Sequence, residues 1–385
     1  MSPQLAPGLP DITGSTRDII RTLLRSGPLP RAELARRLSL SPASLTKLTR
    51  PMLEIGLFQQ VAPQGRATIG RPSQPLSVDT SWTYFVGIKL TGDTAFAVLT
   101  DLGGAIVEAH ERALSGIAVD DVVTDIVALV NICGTSAAIA GIGVSLAGSV
   151  LRGRGLVVAS PFLGWSDVDL AARIEDIVGV PVIVENDLRA LTCARHWFDR
   201  HLTSFALVTF GAGIGCGLVL DDRLIEGNLG ASGLIDHLRV DDHGPPCAHG
   251  HRGCVSGYAT TAAILQASHD GSVTLPSGLS EVGARARLGD PVAATALRAA
   301  GHAIGVVIGT ICNITGPGAV ILSGEGIEVV DVMMESIERG IRAVMHPSLP
   351  PVVITVTPLS FTDWARGAAI VAIAHHLDLR SGVAA

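Results

Sequence analysis

Residues 205–233 read FALVTFGAGIGCGLVLDDRLIEGNLGASG: an apolar strand, a glycine turn and a second apolar strand. An earlier stretch follows the same plan, because the apolar segments YFVGIKL and AFAVLTDL flank the turn LTGD. Further apolar strands alternate along the chain with helical segments at 120–133, 188–197 and 297–313. Alternating strands and helices are typical of an α/β fold, and two copies of one plan predict a two-lobed body with a cleft.

The first 80 residues differ from the rest of the chain in charge. They contain 10 Lys and Arg against 5 Asp and Glu, whereas the remaining residues contain 18 against 30. The two net charges, +5 and −12, sum to the −7 of the whole chain. A basic segment on an acidic body indicates contact with nucleic acid, although a solvated basic surface would have the same composition. We predict a DNA-binding domain over 1–80 and a body over 81–385.

Three short helices are predicted within the basic segment. The apolar stripe of TRDIIRTLLRS predicts a first helix that ends at Gly27 and Pro28, and RAELARRL predicts a second. Ser41 and Pro42, an N-cap followed by proline at the first helical position, begin a third helix that reaches about Ile55. This order predicts a helix-turn-helix, and a three-helix protein-binding module is the alternative.

The third helix carries polar side chains between its apolar positions. We predict that these side chains contact phosphates or base edges in the major groove. They are Ser44, Thr46, Lys47, Thr49 and Arg50.

The stretch LFQQVAPQGRATIGRPSQPLSV, which follows the third helix, is typical of a wing. It contains a short apolar strand, a tip rich in turn residues and a returning strand. Arg66 and Arg71 lie on the tip, where glycine and proline turns would present them to a narrow minor groove. A flexible linker would also be rich in Gly and Pro, but it would lack the flanking strands.

The stretch CAHGHRGC, at 247–254, holds two of the six cysteines and two of the twelve histidines of the chain. Chance, a disulfide or a structural metal could account for it. The N-terminus has no charged start followed by an apolar run, so export to an oxidising compartment is not indicated. No apolar segment approaches the roughly 20 uninterrupted residues of a membrane span. We expect a cytoplasmic protein without a membrane partner.

Several motifs occur in an order that resembles one known family. After the winged helix they are GVSLAGSV, SPFLGW, VENDLRAL, FGAGIGCGLVLDDRLIEGNLGASG, DHLRV and CAHGHRGC. This order resembles the ROK family of repressors and sugar kinases over nearly the whole chain. The resemblance implies a winged helix-turn-helix followed by a two-lobed actin-like ATPase domain. The implied lobes cover about 81–200 and 201–365, and a C-terminal helix returns to the first lobe.

The resemblance also implies a structural zinc, which the family holds with a histidine and a C-x-C-G-x-x-G-C element. Here the element reads C-x-H-G-x-x-G-C. Zinc accepts thiolate or imidazole, so a histidine in place of one cysteine keeps four ligands. His243 and His251 are nearby competitors. The implied ligands are His237, Cys247, His249 and Cys254.

A kinase reading conflicts with the first hairpin. Family kinases resemble other actin-like ATPases in having a D-x-G-G-T turn near the nucleotide phosphates, and the matching stretch here is KLTGD. Lys89 stands at the aspartate, Thr91 replaces a glycine and Asp93 replaces the threonine. Because a carboxylate would repel phosphates, we expect no enzymatic activity and no catalytic residue.

Asp187 matches the position of the family's catalytic base, and we interpret it as ligand-binding together with Asn186 and His237. Its alternative role is to cap the helix that follows. Three positions where the family presents polar sugar contacts are Phe162, Leu234 and Ser256 in this chain. Lost partners for hydroxyl groups lower affinity, so an ordinary hexose is disfavoured.

These observations predict a transcriptional regulator, a repressor, whose acidic body dimerises and binds an effector. The expected partners are a double-stranded DNA operator, a sugar or sugar-derived effector, and further copies of the chain in a homodimer or homotetramer. A ligand-independent DNA-binding dimer is the first alternative, and a sugar kinase is the second.

Overall fold

The computed structural model describes residues 14–62, 74–134, 138–151, 155–199, 201–227, 233–269, 271 and 275–378. The chain forms two compact units. The first combines Met1–Arg200 with Phe361–Ala385, and the second is His201–Ser360. The C-terminal segment therefore belongs with the N-terminal half of the chain.

The first unit begins with three helices and two strands, which we call the head (residues 14–62 and 74–80). Its elements are α1 (Gly14–Ser26), α2 (Arg31–Arg37), α3 (Pro42–Glu54), β1 (Phe58–Gln60) and β2 (Leu76–Val78). The hydroxyl of Ser41 accepts the backbone N–H of Ser44 at 3.1 Å and caps α3. The strands β1 and β2 pair antiparallel.

A five-stranded sheet in the order β10-β6-β3-β4-β5 forms the centre of the first unit. A smaller sheet has the order β7-β8-β9. Strand β3 is almost continuously buried, as expected for a central strand covered on both faces. The elements are β3 (Tyr84–Leu90), β4 (Thr94–Asp101), β5 (Ile106–Ala113), α4 (Val119–Cys133), β6 (Ile139–Leu146), β7 (Ser149–Leu151), β8 (Leu156–Ser160), β9 (Trp165–Asp169), α5 (Leu170–Val178), β10 (Val182–Asn186) and α6 (Asp187–Phe198).

The C-terminal helix of the first unit, α12 (Phe361–Asp378), packs directly on β3 and β6. Gly87 and Gly143 are register partners on these parallel strands. A Cβ atom at Gly87 would lie 2.0 Å from the carbonyl oxygen of Ala365, and one at Gly143 would lie 1.9 Å from that of Ala368. The paired glycines are what allow the helix backbone to contact the sheet.

The head shares one buried apolar cluster with α6 and α12. Ile19 and Leu23 of α1 belong to the same cluster as Trp197 of α6 and Ile373 of α12. Arg25 adds a polar link, because its Nη2 donates to the backbone carbonyl of His196 at 3.3 Å. The head is therefore packed onto the two helices that end near it.

In the part of the second unit that the structure describes, a sheet in the order β13-β12-β11-β14-β15 is accompanied by five α-helices. Its elements are β11 (Phe205–Phe210), β12 (Ile214–Leu220), β13 (Arg223–Leu224), α7 (Ser256–Ala259), α8 (Thr261–Ala267), α9 (Leu279–Arg287), α10 (Pro291–Thr315), β14 (Ala319–Ser323), α11 (Val330–Val344) and β15 (Ile354–Val356). Helices α10 and α11 contact closely, since a Cβ atom at Gly305 would lie 2.0 Å from the carbonyl oxygen of Ile337. The predicted mixed α/β fold is confirmed.

Among the described residues, α10 alone is long and apolar enough to cross a membrane by length and composition. Of the most apolar 18-residue stretch of α10, 61% is buried inside the protein. Leu297, Ile304 and Ile308 of this helix belong to the buried cluster of the second unit. We therefore interpret α10 as a core helix.

Candidate functional site

Helix α3 presents one polar face to solvent. Ser44, Thr46, Lys47 and Arg50 are exposed on it, whereas Leu45 is buried in the head. Four of the five side chains of this helix that were predicted to contact DNA thus lie on one accessible surface. A helix with this division of faces fits the width of a major groove.

Thr49 corrects the prediction for this helix. Its relative exposure is 1%, and its hydroxyl donates to the backbone carbonyl of Leu45 at 2.9 Å. The position lies four residues after Leu45 and three before Met52, so the helical repeat places it on the buried face. Thr49 is unable to reach DNA without unpacking the head.

The exposed side chains of α3 differ in how they are held. Thr46 donates its hydroxyl to the backbone carbonyl of Pro42 at 2.9 Å. Arg50 pairs with Glu54 at 2.9 Å, and the two side chains are 78% and 62% exposed. An ion pair this exposed contributes little to the stability of the fold. The Arg50 guanidinium can therefore exchange Glu54 for a DNA phosphate. The predicted wing residues Arg66 and Arg71 lie outside the described residues.

A second candidate site is a cluster of histidines and cysteines in the second unit. Ligand atoms of His237, Cys247, His251 and Cys254 all lie within 4.8 Å of one another. Cys247 Sγ lies 3.5 Å from His237 Nδ1. The arrangement brings together three of the four predicted zinc ligands.

The fourth ligand of the cluster differs from the prediction. His251, and not His249, lies in the group of convergent ligand atoms. The backbone explains this choice, because the N–H of Cys247 donates to the carbonyl of His251 at 2.8 Å. The backbone of His251 therefore lies opposite Cys247 across this turn, and His249 lies nearer the tip of the same turn. The His249 ring still approaches that of His237, with 4.4 Å between centroids.

The surroundings of the Cys254 thiol oppose its ionisation in the absence of a cation. Burial raises the pKa of the Cys254 thiol, and the neighbouring Cys247 raises it further. A bound metal would reverse this effect, since it stabilises the thiolate over the thiol. Two imidazoles and two thiols suit a tetrahedral zinc ion, so the donor set fits the implied metal.

A third candidate site lies at the start of α6. Asn186 caps this helix, because its Oδ1 accepts the N–H of Arg189 at 3.1 Å. Its amide nitrogen also donates to the carbonyl of Gly148 at 3.0 Å. Asp187 accepts the N–H of Leu188 at 2.8 Å through one carboxylate oxygen. Both side chains predicted to bind ligand are thus also part of the local scaffold.

The other oxygen of Asp187 accepts a hydrogen bond from the ammonium of Lys89. The pair is largely withdrawn from solvent, with side-chain exposures of 7% for Lys89 and 14% for Asp187. Lys89 Nζ also lies 5.3 Å from the centroid of the Trp364 ring, within the range of a cation–π contact. The substituted residue of the first hairpin therefore neutralises the carboxylate at the position of the family's base.

The turn between β3 and β4 is held by its own side chains. The Oδ1 of Asp93 accepts the hydroxyls of Thr91 at 2.9 Å and of Thr94 at 3.0 Å. The backbone N–H of Thr94 donates back to the Thr91 hydroxyl at 3.0 Å. The Asp93 carboxylate is therefore fixed within the turn as a local negative charge.

The remaining predicted ligand-site residues are distributed over both units. His237 belongs to the His/Cys cluster of the second unit. Phe162 is 53% exposed and Leu234 is 66% exposed, so both present apolar surface. Among the described residues, no hydrogen-bond partner reaches the buried hydroxyl of Ser256.

Two functional features were missed by the sequence analysis. Lys89 was identified as a departure from the family turn, but its pairing with Asp187 was not foreseen. Glu325 was not singled out, although its carboxylate contacts the glycine turn of the second unit at 3.0 Å. The only available signal for Glu325 was a charged residue within SGEG, between two glycines.

Comparisons of sequence and structure relate this chain to known proteins of one family. A family model described as ROK family matches residues 85–375. The xylose repressor of Bacillus subtilis (strain 168) is 26% identical over 369 residues, covering 94% of this chain and 95% of the repressor. The crystal structure of a ROK family transcriptional regulator, a homologue of the E. coli Mlc protein, has a TM-score of 0.80. It is 24% identical and covers 94% of this chain and 95% of its own.

A ROK family glucokinase from Streptomyces griseus, crystallised with glucose and AMPPNP, also matches. Its TM-score is 0.64 at 25% identity, and it covers 75% of this chain and 99% of its own. The two regulators cover 94% of this chain, which leaves too few residues uncovered to omit the head. The body is thus common to regulators and kinases, whereas the head is matched by the regulators.

Proposed function

Because the chain belongs to the ROK family, we propose that it is a DNA-binding transcriptional regulator, a repressor that responds to a carbohydrate-related ligand. The observation that carries this proposal is the exposed polar face of α3 in a head that the regulators share. The xylose repressor and the regulator structure match almost the whole chain, including that head.

The head is proposed to bind DNA as a winged helix-turn-helix. Helix α3 would enter the major groove, and the segment between β1 and β2 would form the wing, with Arg66 and Arg71 directed at the minor groove. The antiparallel pairing of β1 with β2 supports this assignment. Two heads related by a dimer axis would read an inverted repeat with half-sites one or two helical turns apart.

The body is proposed to sense a ligand without catalysis. A general base needs a carboxylate lone pair directed at the substrate hydroxyl, and in this chain the Asp187 carboxylate already accepts from Lys89. Asn186, Asp187 and His237 remain the proposed ligand-binding residues. The exposed Phe162 and Leu234 favour a ligand with fewer hydroxyls than a hexose, or with an apolar portion.

Zinc is the proposed occupant of the His/Cys cluster, with a structural role. Four protein ligands would close the coordination shell and leave no position for substrate. His237, Cys247 and Cys254 would be joined by His251 or by the originally implied His249. A cytoplasmic location, where free thiols persist, is consistent with a zinc site and with a regulator of transcription.

The Lys89–Asp187 pair also supports the alternative of a regulator that needs no ligand. A body whose polar groups are already paired could serve only to hold two heads together. A thermal-shift screen separates the two possibilities, since a sugar or phosphosugar that raises the melting temperature would favour the sensing role.

The test of the main proposal is selection of genomic DNA bound by the purified protein, followed by affinity measurements on the enriched operator. Alanine variants of Lys47 and Arg50 should bind it more weakly, and an alanine variant of Arg71 should lose affinity at A/T-rich flanks. Thr49→Val is the matched control, because this side chain is buried and should leave affinity unchanged. Equal affinity in all variants would refute DNA binding by α3.

A further inference from the structure

The glycine turn that joins β11 to β12 already holds an anion from the same unit. The backbone N–H of Ala212 donates to Oε2 of Glu325 at 3.0 Å. Glu325 follows β14 and is 113 positions away in the chain. The contact is therefore produced by the sheet, which places the end of β14 beside the end of β11.

The turn and the segment after β14 are in close contact. A Cβ atom at Gly211 would lie 2.7 Å from Oε2 and 3.0 Å from the Cβ of Glu325. Gly324 has φ 98°, and a Cβ atom there would lie 2.5 Å from the carbonyl oxygen of Phe210. Glycines on both sides thus allow the two backbones to meet, and the Glu325 carboxylate occupies the space at Gly211.

Backbone N–H groups exposed at a glycine-rich turn form a common binding site for phosphate and other anions. In this turn the Glu325 carboxylate accepts the Ala212 N–H and places a negative charge where a phosphate would approach. We infer that Glu325 is an internal anion that occupies this turn and determines which ligands the body accepts. It excludes nucleotides and other phosphate-bearing ligands from the second unit.

This inference deepens the proposed non-catalytic role of the body and rests on it for its biological meaning. Its physical basis is separate, because the Lys89–Asp187 pair lies in the first unit and the Glu325 contact lies in the second. DNA binding plays no part in the contact between Glu325 and Ala212. Failure of the operator experiment would therefore leave the role of Glu325 intact, and failure of the Glu325 experiment would leave the DNA-binding proposal intact.

The experiment is a calorimetric titration of the full chain with inorganic pyrophosphate. Glu325→Ala should bind pyrophosphate at least about tenfold more tightly than the unchanged protein, because the carboxylate no longer competes for the turn. Glu325→Gln should gain less, since its amide oxygen still accepts the Ala212 N–H. Glu328→Ala is the matched control, because it removes one exposed negative charge nearby and should leave binding unchanged.

The location of binding is checked by the amide resonance of Ala212 in a ¹⁵N-labelled sample, which should shift on titration only in the Glu325 variants. Circular dichroism establishes that each variant is folded, and Glu325→Gln carries the test if the alanine variant is not. Equal binding by the unchanged protein, or no gain in either Glu325 variant, would overturn the inference.

Discussion

At Asp187, the neighbouring ammonium determines what the carboxylate can do. One oxygen accepts from Lys89 and the other from the backbone N–H of Leu188. These two hydrogen bonds hold the carboxylate in a fixed orientation. A carboxylate in this setting suits the binding of a hydroxyl donor better than the removal of its proton.

The first prediction concerns the free energy of this pair. Lys89→Met should lower the free energy of unfolding by about 3 kcal/mol, because Asp187 would remain as a largely buried charge without its partner. Adding Asp187→Asn should restore part of the loss, with a coupling of about 1–3 kcal/mol in a double-mutant cycle. Urea denaturation measures the free energy of unfolding of the unchanged protein, the two single variants and the double variant. Additive losses would show that the two side chains do not interact.

The second prediction concerns the ligands of the proposed zinc. Cys247→Ser and Cys254→Ser should each lose the metal and lower the melting temperature, because a site with three ligands binds zinc less tightly. His251→Ala should lose it as well, whereas His249→Ala should retain about one equivalent by elemental analysis. The opposite result for the two histidines would support the ligand set that the family pattern implied.

Helix α12 is placed by the sheet on which it packs. Its backbone contacts β3 and β6 because Gly87 and Gly143 leave no side chain between them. The helix reaches beyond the sheet to the apolar cluster of the head, where Ile370 and Ile373 are fully buried. A C-terminal element thereby stabilises the N-terminal domain.

The third prediction tests this packing. Gly143→Ala should cost about 3 kcal/mol or lower the yield of folded protein, since its Cβ would lie 1.9 Å from the backbone of Ala368. Gly141→Ala on the same strand is the control, because a Cβ atom there would lie 3.5 Å from the Phe85 ring, an ordinary van der Waals distance. The comparison is made by thermal unfolding. Similar stability in the two variants would place α12 elsewhere.

In the molecule as a whole, the first 80 residues and the rest of the chain differ in net charge. The positive charge is concentrated in the first 80 residues, and the rest carries a net −12. Because an acidic body would repel DNA, we expect operator binding to depend on the few contacts that the proposed DNA-binding head makes. The shared cluster of α1, α6 and α12 joins those contacts to the helix that begins at Asp187.

The fourth prediction follows from this division. Operator affinity should fall steeply with salt concentration, because each neutralised phosphate releases a counterion. Lys47→Ala should reduce the slope of log K against log salt by about 1 per head if the ammonium contacts a phosphate. Fluorescence anisotropy over a series of salt concentrations measures the slope. An unchanged slope would assign Lys47 to a base edge or to solvent.

The sequence by itself was sufficient for features that depend on neighbouring residues. Alternating apolar strands and helices, the N-cap at Ser41 and the order of the family motifs are local patterns, and the mixed α/β fold and the family follow from them. The helical repeat could also have predicted that Thr49 is buried, but polarity was given more weight than position.

The tertiary structure alone decided the contacts that give these motifs their chemistry. Lys89 meets Asp187 across 98 positions, and Glu325 meets Ala212 across 113. Each pair forms because parallel strands place their carboxyl ends at one edge of a sheet, and no spacing along the chain records which ends become neighbours. His251 is favoured over His249 for a related reason, since the closure of a turn, and not the motif, selects the histidine that faces the thiols.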